Sequence, residues 1–434
     1  MNDYDYYLAQ FVDIHGRPKA KLVPAKHKEM IFTSGAGFAG FAIAGMGMGP
    51  HGEEFMAVGE RDAVRPVPWL PGTACVTCDG HVSGQPHPLD SRVIARKALA
   101  AFRQATGMEF FTGLEPEFFL LRRNEQGAYV VATESESLDK PCYDFRHLSS
   151  VSAFLMELQS TLATAGIDVY QIDHEDANGQ FEMNFTYAHA LATADNLTFF
   201  KMAAQAIAKK HGMLCSFMPK PFAERSGSGL HMHMSAGTAI GKNAFEDAED
   251  ARGLGLSTVA YHFLGGLMAH AKALTAVAAP SVNSYKRLVS RGSRSGATWA
   301  PVHIAYGNNN RTAFVRGPGG RLELRVPDSA ANPYLLTAAI VYAGLDGIGR
   351  QLDPGEPCNE NLYQLTGPEL AERGIGRLPA SLPQALAEFE RDPVLCQGFG
   401  DAFVREFLDV KHAECDELML KVSPAEFNRY VDFF

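Results

Sequence analysis

Thr112-Gly-Leu-Glu-Pro-Glu-Phe-Phe-Leu-Leu121 sets two carboxylates, Glu115 and Glu117, inside an apolar run that reads as a buried strand. Residues i and i+2 of a strand share a face, so both carboxylates look into one space. Unpaired charges beside Phe118, Phe119, Leu120 and Leu121 cost several kcal/mol or take up protons unless cations or arginines oppose them. A hard divalent cation is the simplest partner, and a pair of ion-paired core glutamates is the plain alternative. The rest of the chain decides between them by supplying further ligands or failing to.

The 434 residues are long for one core and suggest at least two domains. A hydrophobic fraction of 46% with 20% charged residues is that of a globular, soluble protein. The net charge of −10 argues against a general nucleic-acid or anionic-membrane binder. No apolar run is long enough to span a bilayer, and Met1-Asn-Asp-Tyr-Asp-Tyr-Tyr7 lacks the regions of a signal peptide, so a cytoplasmic protein is expected. Seven scattered cysteines fit reduced thiols. Cys75 and Cys78 have no second pair to complete a zinc site, and Val76-Thr77 reads as strand where a redox motif needs a helix.

Along the chain, Tyr7–Val12 and Ala20–Val23 flank Asp13-Ile14-His15-Gly16 as a hairpin, and Asp62–Pro68 and Thr73–Cys78 read as short strands. Between them Thr33–Gly49, rich in Gly, Ala and Met and without charge, suits backbone packed against a neighbouring surface. Residues 1–88 are therefore assigned to a small strand-rich domain and 89–434 to a larger one. In the latter, helices are predicted from the Asp90-Ser91 cap to Gly107, from Val151 to Gly166 and over Thr193–His211. Further helices are placed at Leu256–Ala278, Pro333–Gly347, Leu382–Glu390 and Phe403–Leu418. Strands alternating irregularly with long helices indicate an α+β fold rather than a doubly wound parallel sheet.

Three more segments add chemistry. Asn178-Gly179 is a preferred two-residue hairpin turn, and such a turn places Glu175 directly opposite Glu182, a repulsive pair that again calls for a cation. Leu230-His-Met-His-Met234, preceded by Ser226-Gly-Ser-Gly229, puts His231 and His233 on one strand face. Gly320-Arg-Leu-Glu-Leu-Arg325 aims Arg321, Glu323 and Arg325 together, although a solvated strand face has the same pattern. Taken together, carboxylates with histidine and no thiolate select Mg²⁺ or Mn²⁺ over zinc. Divalent cations with arginines suit phosphoryl transfer, and without a Walker loop the phosphate site must be built from strands.

The matching segments are Gly113-Leu-Glu-Pro-Glu-Phe-Phe-Leu120, His174-Glu-Asp-Ala-Asn-Gly-Gln-Phe-Glu182, Phe217-Met-Pro-Lys-Pro221, Gly227-Ser-Gly-Leu-His-Met-His233, Asn283-Ser-Tyr-Lys-Arg287, Asn310-Arg311, Arg321-Leu-Glu-Leu-Arg-Val-Pro-Asp328 and Ala331-Asn-Pro-Tyr334. In order and spacing they resemble the glutamine synthetases over most of the chain. The resemblance implies a β-grasp-like N-terminal domain, a catalytic domain on a curved antiparallel sheet flanked by helices, and a homo-oligomer, a dodecamer of two hexameric rings. It implies two or three Mg²⁺ or Mn²⁺ ions per site, one on Glu117, Glu175 and Glu182 and another on Glu115, His231 and Glu323. It further implies that Gly227 and Arg287 contact L-glutamate, that Arg311 and Arg325 bind the transferred phosphate and the γ-carboxylate, and that His233, Ser235 and Arg321 lie along ATP. The implied reaction phosphorylates the γ-carboxylate of glutamate and lets an amine displace the phosphate.

Two departures from the family pattern concern that amine. Where ammonia-using members read Phe-Asp-Gly-Ser-Ser-Ile, this chain reads Phe38-Ala-Gly-Phe-Ala-Ile43, with Ala39 at the ammonium-binding Asp. Where they carry a flap Glu, it has Trp299 before Ala300-Pro301. An apolar, aromatic-walled site suits methylammonium better than ammonium. The overall pattern is most similar to the γ-glutamylmethylamide-forming branch, with the ammonia-using type III glutamine synthetases as runner-up. Ser226 stands where many members have Asn, and Tyr363 falls where some bacterial members are adenylylated, here read as a packing residue. A kinase-like relative without ligation and a non-catalytic member of the fold are the competing classes; the latter is expected to have lost metal ligands that this chain keeps.

Overall fold

The computed structural model describes residues 4–133, 139–291 and 298–432. Near the N-terminus, alternating residues set one sheet: β1 (Tyr6–Val12), β2 (Pro18–Pro24), β3 (Ala36–Phe38), β4 (Phe55–Pro66), β5 (Thr73–Val82) and β6 (Gln85–Pro86), in the order β2-β1-β5-β4-β3 with β6 on β5. Tyr7, Ala9 and Phe11 point to one face and close a small core with Phe38, Phe55, Ala74, Val76 and Cys78. Cys75 points the other way into the main core, so the Cys-x-x-Cys spacing leaves the two thiols in different cores. The β1–β2 hairpin forms as expected, while β4 begins seven residues before the strand start read at Asp62 and carries a register shift between Gly59 and Val64. Thr33–Gly49 folds as β3 and a short 3₁₀ turn, Gly40–Ala42, that leaves Ala39 and Phe41 exposed.

The second sheet has eleven strands: β7 (Glu109–Arg123), β8 (Tyr129–Val131), β9 (Val169–His174), β10 (Gln180–Phe185), β11 (Ala188–His189), β12 (Leu214–Ser216), β13 (Leu230–Gly237), β14 (His303–Gly307), β15 (Ala313–Arg316), β16 (Leu322–Leu324) and β17 (Gly376–Arg377). Its main path runs β17-β14-β15-β16-β13-β7-β10-β9, and every pairing is antiparallel except β14 with β15. The curved sheet flanked by helices is the α+β architecture read from the sequence. Phe110, Leu114, Phe118 and Leu120 on one face of β7 enter the main core with Phe200 and Ala204 of the helix Ala190–Lys210 and Phe263 of the helix Thr258–Ala269. The alternate face of β7 is thereby left to Glu115 and Glu117.

Two predicted elements are broken in the structure. The helix read over Leu256–Ala278 divides into Thr258–Ala269 and Ala271–Ala278 at His270, whose ring nitrogens lie 2.6 Å from Asp392 and 3.0 Å from Asp346. Those two carboxylates come from elsewhere in the chain, so local helical periodicity could not show them. The turn at Asn178-Gly179 is not the two-residue hairpin. Gly179 has φ +80° but Asn178 is not in the left-handed region, whereas a type I′ turn needs both. The connection runs from Asp176 to Gly179, Glu175 N–H donates to Gln180, and Glu182 pairs with Asp173 instead of Glu175.

Asn332 joins the two sheets. Its side chain caps the helix Pro333–Arg350 by accepting from Tyr334 and Leu335 N–H, and its amide donates to the carbonyls of Asp13 and Ile14 and to Ser91 Oγ at 2.8 Å. Nearby, the buried Arg92 guanidinium joins Asp79, Asp195 and Glu60. Replacing Asn332 with Ala removes a cap and leaves the Ile14 carbonyl without a donor, while the Asp13 carbonyl keeps Gly16 N–H, an expected loss of about 2–4 kcal/mol in urea unfolding. A change below about 0.5 kcal/mol would show that the joint is held elsewhere.

Candidate active site

Strand register alone brings the charged groups together. Glu117 lies opposite Glu182 across β7–β10, Glu115 opposite His231 across β7–β13, and His233 opposite Glu323 across β13–β16. Each sits on the face of its strand turned away from the main core. Glu115 meets both histidines, at 3.2 Å from His231 Nδ1 and 2.8 Å from His233 Nε2. Glu117, Glu175 and Glu182 each bring a carboxylate oxygen within 4.8 Å of one another, as do Glu115, Glu182 and His231, and Glu115, His233 and Glu323. Although the hairpin register differs from the one expected, Glu175 at the end of β9 still reaches the Glu117–Glu182 pair.

The chemistry of this donor set fits hard divalent cations. Among the described residues no Lys or Arg pairs with Glu175 or Glu182; each takes a neutral donor, Asp176 N–H for Glu175 and the Asn184 amide for Glu182, and no protein cation offsets their repulsion. Burial, with repulsion from Glu115, pushes Glu117 up to about 7 against the pull of Arg287 and the Gly229 N–H. Burial and the Glu117 charge push Glu175 up to about 8, and burial with Glu175, Glu115 and Glu117 carries Glu182 well above the carboxylate range. Glu115 goes the other way: hydrogen bonds from His231 and His233 outweigh its burial and hold it low. Burial and the Arg325 charge lower His231 to about 4, which leaves its imidazole neutral and free to ligate.

Glu323 differs from the other five. It is fully buried and its two oxygens take Arg325 Nη1 and Arg316 Nε. Arg316, which the sequence reading passed over, thus shares Glu323 with any metal. The remaining arginines divide: Arg287 is buried and donates to the carbonyls of Val326 and Arg325, while the side chains of Arg311 and Arg321 are exposed. Arg321 Nε donates to His233 Nδ1 at 3.1 Å. Gly227 has to be glycine, because a Cβ there would sit 2.3 Å from the Pro219 carbonyl and 2.9 Å from Arg287 Cγ. Ser226 bonds to Asp176.

A cavity of about 390 Å³ opens beside Glu115, lined by His233, Ser235 and Arg321 together with Tyr170, Tyr187 and Lys242. The three residues expected along the nucleotide thus share one wall. Tyr170 and Tyr187, half exposed at its rim, had no signal in the sequence beyond being aromatic. Trp299 stands at φ +54°, rare for a bulky residue, and is 43% exposed. Its carbonyl lies 3.5 Å from Arg325 Nη2, and the Tyr363 hydroxyl donates to the next carbonyl, Ala300, at 2.5 Å. Tyr363 therefore packs under the Trp299 turn. Ala39 follows β3 of the first sheet, at the start of the 3₁₀ turn, and does not line this cavity.

The glutamine synthetase catalytic-domain model matches residues 88–430. This chain belongs to the glutamine synthetase family. It is 53% identical over 434 residues to the glutamate–methylamine ligase of Methyloversatilis universalis, covering 100% of this chain and 97% of the relative. It is 41% identical over 411 residues to a glutamine synthetase of Rhizobium meliloti, covering 94% and 92%. Among solved structures, a GmaS–ADP complex superposes with TM-score 0.92 at 43% identity over 99% of this chain and 97% of that one. Ligand-free GmaS gives 0.88 at 42% identity with the same coverage. The resemblance read from the motifs is met across the whole family-matched region.

Two consequences of the charge arrangement can be measured. Glu175→Ala relieves repulsion and is expected to leave the metal-free protein as stable or more so, whereas Glu323→Ala strands two buried guanidinium groups and costs about 3–5 kcal/mol. Similar melting temperatures for the two variants would contradict this. Unfolded carboxylates ionise near 4.5, so Glu117, Glu175 and Glu182 hold protons in the native state that the unfolded chain has released, and their contribution to stability falls as pH rises towards 7–8. A cation replaces those protons. The melting-temperature gain on adding Mn²⁺ should therefore be larger at about pH 8.5 than at about pH 6, with proton release on binding. An equal gain at both would show that the cation binds elsewhere.

Proposed function

We propose that this chain is an ATP-dependent glutamate–methylamine ligase. The observation that carries the reading is the single sheet face on which carboxylates and histidines sufficient for two or three cations stand beside Arg287, Arg316 and Arg325 and a nucleotide-sized cavity. Similarity to a relative named for that activity, greater than to those named glutamine synthetase, supports it.

In this reading Glu117, Glu175 and Glu182 hold one Mg²⁺ or Mn²⁺, and Glu115, His231 and Glu323 another, His231 Nδ1 lying 3.2 Å from Glu115 and 4.0 Å from Glu323. When bound, such cations neutralise phosphate charge and polarise the transferring phosphoryl group. His233, Ser235 and Arg321 line the ATP, and Gly227, Ser226 and Arg287 position L-glutamate. The γ-carboxylate attacks the terminal phosphorus and ADP leaves, with Arg311 and Arg325 countering charge on the phosphate and the carboxylate. Methylammonium loses a proton to a nearby carboxylate or to phosphate, the neutral methylamine attacks the acyl carbon, the carbon–oxygen bond to phosphate breaks, and a second proton leaves the nitrogen as the amide forms.

Amine choice is assigned to Trp299 and Ala39, the latter supplied by a neighbouring subunit, since within one chain it follows β3 of the other sheet and does not line the cavity. Exposed Phe41, and exposed Met419, Leu420, Val422, Phe427 and Val431 near the C-terminus, are suited to subunit contacts. We assign residues 1–88 to a β-grasp-like domain and 89–434 to the catalytic domain of a dodecamer. The location proposed is cytoplasmic: among the described residues no helix is long and apolar enough to cross a membrane, and all seven thiols are unpaired.

Phosphate release with ATP, glutamate and a panel of ammonia, methylamine and ethylamine tests the reading. One methyl group in a fitted pocket is worth about 1–3 kcal/mol, so kcat/KM for methylamine should exceed that for ammonia by roughly ten- to two-hundred-fold. Trp299→Ala should lower methylamine turnover more than ammonia turnover, and Ala39→Asp should shift preference towards ammonia. A wild-type preference for ammonia would leave a glutamine synthetase as the reading.

A further inference from the structure

A second cavity, of about 940 Å³, lies between the Asp13–Arg17 turn, the helix Ala190–Lys210, the Ser329–Asn332 segment and the helix Asp401–Met419. None of the residues assigned to ligation lines it. Its wall carries Arg17, Lys201 and Lys411 but little negative charge. Lys19 is matched by Asp13 at 3.2 Å, and Glu417 is turned to Lys421. Among the described residues Arg17 and Lys201 have no carboxylate partner. Glu414, 3.3 Å from Lys411 and also accepting from Val282 N–H, is the one acid left facing the cations.

The two ammonium groups are poorly satisfied. Lys201 Nζ donates to the Ser329 carbonyl at 2.6 Å and otherwise has only the Phe217 ring, 5.4 Å away. Lys411 is 3% exposed, and besides Glu414 its Nζ meets His15 Nδ1 at 3.3 Å. An ammonium carries three donors, so both lysines keep spare N–H groups in a partly water-excluded wall. His15, lowered to about 4 by burial and by the Lys411 charge, stays neutral and adds no compensating charge. Asp328 lies behind Ser329, where its field is shared among Lys201, Lys411 and Arg287.

We infer that this cavity binds a small dianion, a dicarboxylate or a phosphate, through Arg17, Lys201 and Lys411, and that occupancy is transmitted to Glu117 through Ser329. The link is short. The carbonyl of Ser329 holds Lys201, and its hydroxyl lies 2.7 Å from the Glu117 carbonyl and 2.8 Å from that of Gly229. Gly229 N–H in turn donates to the Glu117 carboxylate at 2.8 Å. An anion that draws Lys201 into the cavity releases the Ser329 carbonyl and so alters the backbone that carries a candidate metal ligand.

Calorimetric titration of the full chain, with ADP saturating the nucleotide cavity, tests this using inorganic phosphate and glutarate as separate probes. At least one should bind, and Lys411→Gln should weaken it about tenfold or more, the loss of one charge-assisted hydrogen bond, with ADP affinity unchanged. Arg17→Gln, on an exposed turn, should weaken it severalfold and keeps the test available where the buried-lysine variant does not fold. Phosphate binding alone marks a phosphorylated ligand class, glutarate alone a dicarboxylate, and both a general dianion site. Ligation rates at saturating substrates should change with the probe in wild type and not in Arg17→Gln, whereas inhibition at the active site would persist in the variant. Failure of both probes to bind, or equal affinity in wild type and variants, overturns the site; binding without any change in rate overturns the coupling.

Discussion

Repulsion among carboxylates on one face of a sheet is the constraint on which the site depends. Glu117 and Glu182 are direct cross-strand neighbours, and Glu175 joins them from the end of the next strand. Like charges facing each other across a strand pair destabilise the sheet that presents them. The fold accepts the arrangement because the opposite face of β7 is anchored by Phe110, Leu114, Phe118 and Leu120 in the main core. Hydrophobic burial fixes the register, and the register fixes the charges. A cation then adds a favourable term where the bare protein has only an unfavourable one.

The period-2 alternation of Glu115/Glu117, His231/His233 and Arg321/Glu323/Arg325 was legible because a strand face is a local property. What local pattern could not give was partnership across the sheet. Arg316 reads as an ordinary residue until β15 pairs with β16 and sets it against Glu323. Asn178-Gly179 carried a strong local turn signal, yet the backbone of Asn178 stays out of the left-handed region and the loop widens to Asp176–Gly179. His270 breaks a helix that its own sequence continues, since Asp346 and Asp392 reach it from distant segments. Some omissions were avoidable: Thr366-Gly-Pro-Glu369 and Ser423-Pro-Ala-Glu426 are capping boxes, and each opens a short helix that periodicity alone passed over.

The Trp299 turn shows how one aromatic wall is held. A bulky residue in the left-handed region is strained, and such a conformation persists only where surrounding bonds fix it. Here Arg325, also bonded to Glu323, reaches the Trp299 carbonyl, and Tyr363 holds the following one. Arg325 and Trp299, to which the proposed reaction gives the phosphate and the amine, are therefore one hydrogen bond apart. Tyr363 is the strut beneath this turn.

The central claim is that the carboxylates of β7, β10 and β16, with the histidine His231 of β13, exist to hold divalent cations beside the nucleotide cavity. The most direct measurement is the anomalous difference density of Mn²⁺ in crystals of the protein grown with Mn²⁺ and a non-hydrolysable ATP analogue. The account predicts peaks bounded by Glu117, Glu175 and Glu182 and by Glu115, His231 and Glu323, with the analogue's phosphates on the same side. Anomalous density absent from both positions while the nucleotide is bound would contradict it.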